Sequence, residues 1–252
     1  MLTAERKRLI LNQLKAEGQV RADALAKRFK VSEDTIRRDL RQLDQDGLLE
    51  RVHGGALLRP AVSVHYASRQ HQSPDLKRAI GAAAVQLLKA GQTVLIDAGT
   101  TPLCVAEAIP PSLPLSVVTH SLPVGLALSE HASVETLMVG GTLSKPARAA
   151  MGAQVVEDYR QVRADICILG VAGLHVEAGA TAIDPEEAFV KRAMIQHAAA
   201  VVAVAAPEKL GTIAPHLLCS AQALTHLVTG PAPCERLQPF RDVGIEVIVA
   251  EG

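Results

Sequence analysis

The sequence predicts an α/β protein with a small α+β N-terminal domain: a winged helix-turn-helix followed by a mostly parallel, Rossmann-like sheet. Three observations predict it. Over the first 57 residues, three helical periods precede a short alternating run that closes on Gly54-Gly55. From about residue 75, short apolar runs bounded by turn residues alternate with helical periods, the pattern of a parallel sheet covered by helices. Charge divides along the same line: residues 1–60 carry 13 Lys and Arg against 9 Asp and Glu, the remainder 13 against 17, so the two parts stand at +4 and −4 in a chain of 252 residues with net charge +0. A basic head on an acidic body suits a nucleic-acid-binding module attached to something that does not touch nucleic acid.

The first helix is expected from a Thr3 cap, with Ile10, Leu11 and Leu14 on one side, to Gly18. A shorter one, about Arg21 to Phe29, turns Leu25, Ala26 and Phe29 inward. After the connection Lys30-Val31, Ser32 is a good N-cap, because its hydroxyl accepts from N–H groups that a first turn leaves unpaired. The helix it starts carries Ile36, Leu40 and Leu43 as an apolar seam, and Asp34, Arg38, Arg41 and Gln42 lie roughly opposite. One face packs and the other is free to recognise something. The ordinary alternative is a solvated face, with Glu33/Arg37 and Asp34/Arg38 as i,i+4 pairs that stabilise the helix. Two short helices joined this way form a helix-turn-helix, whose second helix lies in the major groove. Gly47 ends that helix, and Leu48 to Ala56 reads as a wing.

Residues 58–74, with Pro60 and Pro74, read as an irregular linker between domains at 1–57 and 75–252. A helix is expected over Leu76–Leu88, then a strand over Thr93–Ile96. Further strands are expected at Leu115–Thr119, Val134–Val139, Asp165–Leu169, Ala200–Ala205, Ala223–Val228 and Ile245–Val249, with helices at Ser121–Glu130, Met151–Val162 and Pro185–Ala198. In such sheets ligands gather beyond the carboxyl ends of the strands. There the chain places Asp97-Ala98-Gly99-Thr100-Thr101, Thr119-His120-Ser121, Gly140-Gly141-Thr142 and Gly170-Val171-Ala172-Gly173. Thr100 and Thr101 open a helix, and helix N-termini attract phosphate. The loops are expected to converge on a small anion. Each also has a structural alternative: Asp97 as a carboxylate satisfied by backbone donors, His120 as a packed histidine.

Other classes are excluded or poorly supported. Cys104, Cys167, Cys219 and Cys234 show no C-x-x-C spacing, and the nine His residues lack ligand spacing, so no metal site and no disulfide framework is expected. The run Ala198–Pro207 is too short for a bilayer and the N-terminus lacks a signal-peptide core, so a cytoplasmic protein without membrane contact is expected. Phosphate-loop, dinucleotide, metalloprotease and nucleophile-elbow motifs are absent, and no cofactor is expected.

The run Val31-Ser32 … Thr35-Ile36-Arg37-Arg38-Asp39-Leu40 … Leu43 … Gly47-Leu48-Leu49 … Arg51-Val52-His53-Gly54-Gly55-Ala56 resembles the DNA-binding domain of DeoR-type bacterial transcriptional regulators. The resemblance implies operator binding through Ser32, Thr35, Arg37, Arg38 and Arg41, with Arg51 and His53 on the wing. The body resembles the sensor domain of the same family at Asp97-x-Gly99-Thr100-Thr101, Thr119-x-Ser121, Gly140-Gly141, Gly170-x-x-Gly173, Glu187 with Lys191, and Lys209 before Gly211. That domain is similar to ribose-5-phosphate isomerase and binds phosphorylated sugars or related metabolites. The resemblance thus implies a repressor of a carbohydrate operon, released by a phosphorylated sugar, and working as a homo-oligomer. His120 stands where the family often has Asn, Ala172 where it has Asp, and Ala206-Pro207-Glu208-Lys209 where it has an Asp-Ser-Ser-Lys-like run. These changes are expected to alter which sugar fits. Two alternatives are an isomerase-like enzyme using Asp97, Glu187, Lys191 and Lys209 as acid–base groups, and a DNA-binding regulator without a small-molecule input.

Overall fold

The computed structural model describes residues 3–17, 19–45, 48–52, 54–57 and 66–251, and the chain divides into two compact units, Met1–Gln72 and Ser73–Gly252. The first contains α1 (Thr3–Glu17), β1 (Gln19–Arg21), α2 (Ala22–Phe29), α3 (Glu33–Gln45), β2 (Glu50–Val52), β3 (Gly55–Leu57) and α4 (Tyr66–Gln70). Ile10, Leu14, Leu25, Ile36, Leu40, Leu43 and Leu49 form its core, so the apolar seams of the three helices meet. Between α2 and α3 the chain reverses through Lys30 in the left-handed region, and the Val31 N–H closes on Ala26 O at 3.1 Å. Ser32 Oγ then accepts from Thr35 N at 3.2 Å and caps α3. The expected ends of the first and third helices, Gly18 and Gly47, lie outside the described residues.

The wing is the hairpin β2–β3, and β1, which the sequence did not announce, adds to it in the order β1-β3-β2. A Cβ on Gly55 would sit 2.1 Å from Val20 O, so a glycine at this position lets β3 come this close to β1. Within 58–74, expected to be irregular, Tyr66–Gln70 are helical, and Pro74 is the first residue of a helix because its ring presets φ there.

The second unit contains α5 (Pro74–Val85), β4 (Thr93–Ile96), α6 (Thr100–Glu107), β5 (Leu115–Thr119), α7 (Leu122–Leu128), β6 (Val134–Met138), β7 (Thr142–Ser144), β8 (Ala149–Met151), α8 (Ala153–Arg160), β9 (Ala164–Gly170), β10 (Gly173–His175), β11 (Gly179–Ala182), α9 (Pro185–Gln196), β12 (Ala198–Ala205), β13 (His216–Cys219), β14 (His226–Thr229), α10 (Cys234–Asp242) and β15 (Glu246–Val249). Seven strands form one parallel sheet, ordered β15-β14-β12-β9-β4-β5-β6. Alternate residues feed two cores. Leu95, Cys167, Leu169 and Ala203 pack on the face holding α8 and α9, while Val94, Ile96, Ile168 and Val202 pack on the face holding α5, α6 and α7. This is why these strands read as continuous apolar runs.

The strand expected over Ala223–Val228 starts later. Residues 221–223 form a 3-10 turn, and pairing with β12 begins only at His226, after Thr225 has bonded through both N–H and hydroxyl to Val201 O at 2.9 Å. The hairpin β7–β8, the antiparallel sheet β10-β11-β13 and α10 are further elements without a sequence forecast.

Candidate functional site

On α3 the outward face is Asp34, Arg38, Arg41 and Gln42, all exposed. Arg37 is held by Glu33 at 2.9 Å, with Asp34 at 3.9 Å, so at this position the helix-stabilising pair forms. Arg38 and Arg41 make no hydrogen bond or ion pair with other described residues. Ser32 and Thr35 bond hydroxyl to hydroxyl at 2.9 Å at the start of the helix. Arg51 is exposed on β2, and His53 lies outside the described residues. The opposite face of α3 contains a charge that sequence reasoning missed. Asp39 is buried and receives a bidentate contact from Arg6 of α1, at 2.5 and 3.2 Å. The signal was an acid lying in the apolar seam of Ile36, Leu40 and Leu43. The pair fixes α3 against α1 and so aims Arg38 and Arg41 outward.

In the second unit, chain order runs outward from β4 to β5 and β6 on one side, and from β9 to β12, β14 and β15 on the other. The sheet therefore reverses between β4 and β9, the switch point where such folds open a crevice. Asp97 follows β4 and is wholly buried. Its Oδ1 accepts from Ala98 N at 2.8 Å, and its Oδ2 accepts from Gly170 N at 2.8 Å and from Lys191 Nζ at 2.6 Å. Lys191, on α9, also donates to Gly170 O at 2.8 Å. Aspartate and lysine thus clamp both backbone groups of the residue that ends β9. A Cβ on Gly170 would press on Asp97 Oδ2 and Pro102 Cγ, each at 3.1 Å, so the clamp, β9 and the start of α6 are in contact.

His120, beyond β5, is buried beside this pair, its Nε2 3.8 Å from Asp97 Oδ1 and its Nδ1 2.9 Å from the hydroxyl of Tyr159 on α8. Burial pushes the imidazole down to about 4; Lys191 adds to the shift and Asp97 opposes it. Burial, with Asp97, holds the Tyr159 phenol well above its usual value. At neutral pH the two are therefore an uncharged hydrogen-bonded pair. Tyr159 was not among the candidates from sequence; it lies 39 positions from its partner. Burial likewise raises the Cys167 thiol, and raises Cys219 to about 11, which leaves both protonated and unreactive.

Around this closed network lie the remaining candidates. Thr119 Oγ1 donates to Ile96 O at 2.7 Å and accepts from Ser121 N at 3.1 Å; Ser121 Oγ in turn caps α7 through Val124 N. Gly99, at φ +147°, precedes α6, whose first turn has no side-chain cap and contains Thr100 and Thr101. Gly141 approaches α8 and β8 so closely that a Cβ would meet Val155 Cγ2 at 2.6 Å, whereas Gly140 beside it is open. Gly173 packs against Thr212 O, Lys209 Nζ donates to Val171 O at 2.7 Å, and half-buried Glu187 lies one turn before Lys191 on α9. Among the described residues no three His, Cys, Asp or Glu come together as metal ligands, and no helix is long and apolar enough to cross a membrane. Asp97 has both oxygens occupied and Lys191 is neutralised, so neither is a free acid–base group for an isomerase reaction.

Known proteins resemble this chain over most of its length. The DeoR-like helix-turn-helix domain matches residues 6–60 and the DeoR C terminal sensor domain matches residues 72–231. Similar curated proteins include the HTH-type transcriptional regulator GlpR of Haloferax volcanii, 34% identical over 98% of both chains. The HTH-type transcriptional repressor GlcR of Bacillus subtilis is 31% identical over 100% of this chain and 98% of its own. The glycerol-3-phosphate regulon repressor of Escherichia coli is 30% identical over 98% of this chain and 99% of its own.

Proposed function

The chain belongs to the DeoR family of DNA-binding transcriptional regulators and is not an enzyme, and from that premise we propose that it represses a carbohydrate catabolic operon until a phosphorylated sugar binds its sensor unit. The observation that carries the reading is the pair of exposed, unpartnered guanidinium groups of Arg38 and Arg41 on a helix whose other face is locked by Arg6–Asp39. Such groups bridge guanine edges or clamp phosphates in a major groove. Ser32 caps the same helix, Thr35 and Arg37 lie along it, and Arg51 on β2 would reach the flanking backbone from the wing.

In the sensor unit the phosphate is assigned to the uncapped first turn of α6. The N–H groups there have no intrahelical acceptor, and Thr100 and Thr101 add two hydroxyls. Gly140 leaves room for close approach of a ligand, Gly99 sets the turn into α6, Gly141 and Gly173 let the loops pack closely on the chain's own atoms, and Glu187 and Lys209 are the groups proposed to meet sugar hydroxyls. Asp97, Thr119, His120, Ser121, Gly170 and Lys191 act as positioning residues that hold these loops. That one relative is named a glycerol-3-phosphate regulon repressor supports a small phosphorylated polyol or sugar as the ligand. For release, the ligand must bind the DNA-competent and incompetent arrangements with different affinity.

The test is a thermal-shift screen of the full chain against phosphorylated sugars and polyols, followed by fluorescence anisotropy on duplexes from the DNA flanking its own gene. A ligand at 100 times its dissociation constant adds about 2.7 kcal/mol, a rise of roughly 5–10 °C for a unit this size. One compound is expected to raise the melting temperature and weaken specific DNA binding together. Specific binding that no phosphorylated compound alters would refute the sensor half, and absence of any specific binding would refute the whole.

A further inference from the structure

One edge of the seven-stranded sheet, β6, is uncovered. It pairs only with β5, in the register Leu115↔Val134 to Thr119↔Met138, and nothing among the described residues pairs with its other side. Val139 N donates to Thr119 O, and Ser133 O accepts from Leu115 N, so the odd-numbered residues turn their backbone groups to β5. Val134, Thr136 and Met138 therefore present N–H and C=O groups outward. Natural sheet edges carry Lys, Pro or a bulge that discourages strand addition; β6 has none of these, and its one charged residue is Glu135.

The surroundings of this edge are apolar. On α7, which covers the face that takes Val134, Thr136 and Met138, Leu122 is 48% and Leu126 77% exposed, one turn apart, while Leu137 of β6, 58% exposed, lies on the opposite face. Met138 packs onto α7 where Gly125 leaves space: a Cβ there would stand 2.2 Å from its sulfur. At the centre of the edge, the Thr136 hydroxyl is buried yet has no hydrogen-bond partner. A buried polar atom without a partner costs free energy and calls for a missing one.

We infer that β6 is the docking edge for a second copy of this chain, adding antiparallel across a twofold axis that passes through Thr136. The register is self-consistent. Centred on Thr136, the dyad opposes Thr136 to its own copy and Val134 to Met138. These are the residues whose backbone groups point outward, so each opposed pair exchanges both ladder bonds. The two Thr136 hydroxyls meet across the axis as a cross-strand Thr–Thr pair, which supplies the missing partner. Glu135 faces Leu137 of the copy, not the other Glu135, so like charges stay apart. Leu122 and Leu126 of the two α7 helices close over the new ladder and bury the exposed apolar face. A twofold dimer built this way uses the same patch on both copies, as an isologous interface requires. The opposite edge, β15, begins with exposed Glu246 and is less suited to the same role.

Sedimentation and light scattering of the full chain at micromolar concentration test the inference. Leu126→Lys puts a charge on the outer face of α7, and Thr136→Pro removes both the hydroxyl and an outward-facing N–H, at an edge position where a strand tolerates proline. Each is expected to halve the wild-type mass, or to raise the dissociation constant at least about tenfold, with the far-UV spectrum unchanged. If the proline variant does not fold, Leu126→Lys decides alone. A monomeric wild type, or a folded Leu126→Lys chain with wild-type mass and dissociation constant, overturns the assignment. So does a loss of assembly in Phe189→Lys, on the exposed surface of α9, that Leu126→Lys does not share.

Discussion

Lys191→Met tests whether the clamp at the switch point is structural. The lysine ammonium is 2.6 Å from Asp97 Oδ2 and 2.8 Å from Gly170 O, and its side chain is 6% exposed against 0% for Asp97. Methionine keeps the length and apolar stem of the side chain but removes the charge. Asp97 would then hold a buried carboxylate with two amide donors and no cation, and breaking a buried pair in this way costs about 3–5 kcal/mol. For a unit of this size each kcal/mol moves the midpoint by about 2–4 °C, so a fall of roughly 6–20 °C is expected. Calorimetry at pH 7 on the full chain reads it, with the N-terminal unit as an internal reference. The double variant Asp97→Asn/Lys191→Met, in which neither charge is left uncompensated, is expected to recover much of the loss. A single variant that melts within about 2 °C of wild type, or a cycle with no coupling between the two positions, would refute the reasoning.

Three further outcomes follow from the geometry. The folded-state pKa of His120, about 4, lies below its ordinary 6.5, so the unfolded chain binds more protons between these values. Stability is therefore full above pH 6.5 and lost on acidification through about pH 4, by roughly 3 kcal/mol, and His120→Gln is expected to flatten that part of a denaturant-midpoint-versus-pH curve. Arg38→Ala is expected to weaken specific operator binding by about 10–100-fold in anisotropy titrations with the circular dichroism spectrum unchanged, whereas Arg37→Ala, whose guanidinium already serves Glu33, is expected to cost less. Arg6→Met leaves Asp39 buried and unpaired, and is expected to melt the head by about 3–5 kcal/mol and abolish DNA binding, while the sensor transition stays in place; equal melting of wild-type and variant heads would count against a stabilising role for the pair.

Elements with a strong local period were legible. Ser32, Ile36, Leu40 and Leu43 announce α3 and its cap, and Thr93–Ile96 and Leu115–Thr119 coincide with β4 and β5, because both faces of those strands are buried. What escaped depends on partners distant in sequence. Gln19–Arg21 is a strand only because Gly55 lets β3 come against it, and three-residue strands such as β7 and β10 have no period to read. Helix ends drifted for a related reason: Pro74 starts α5 two residues before the first apolar position.

The Asp97 loop shows why residue types at strand ends do not by themselves state their chemistry. An acid, a histidine and a lysine at such positions read as ligand-facing groups. Lys191 reaches Asp97 from 94 positions away and Tyr159 reaches His120 from 39, and neither distance is written in any local pattern. Once both contacts exist, the polar atoms face one another, and Asp97 and His120 are as buried as the strands around them. What remains at the switch point is backbone amide and threonine hydroxyl, donors without formal charge. In the proposed site, such a surface would discriminate by the charge and shape of a phosphate more than by the pattern of sugar hydroxyls, whose recognition would be left to Glu187 and Lys209. Substituting Glu187 is therefore expected to change which phosphorylated sugar shifts the melting temperature, and substituting Thr100 to weaken all of them together. A panel in which Thr100→Val alters sugar preference and Glu187→Gln weakens every ligand equally would reverse that assignment.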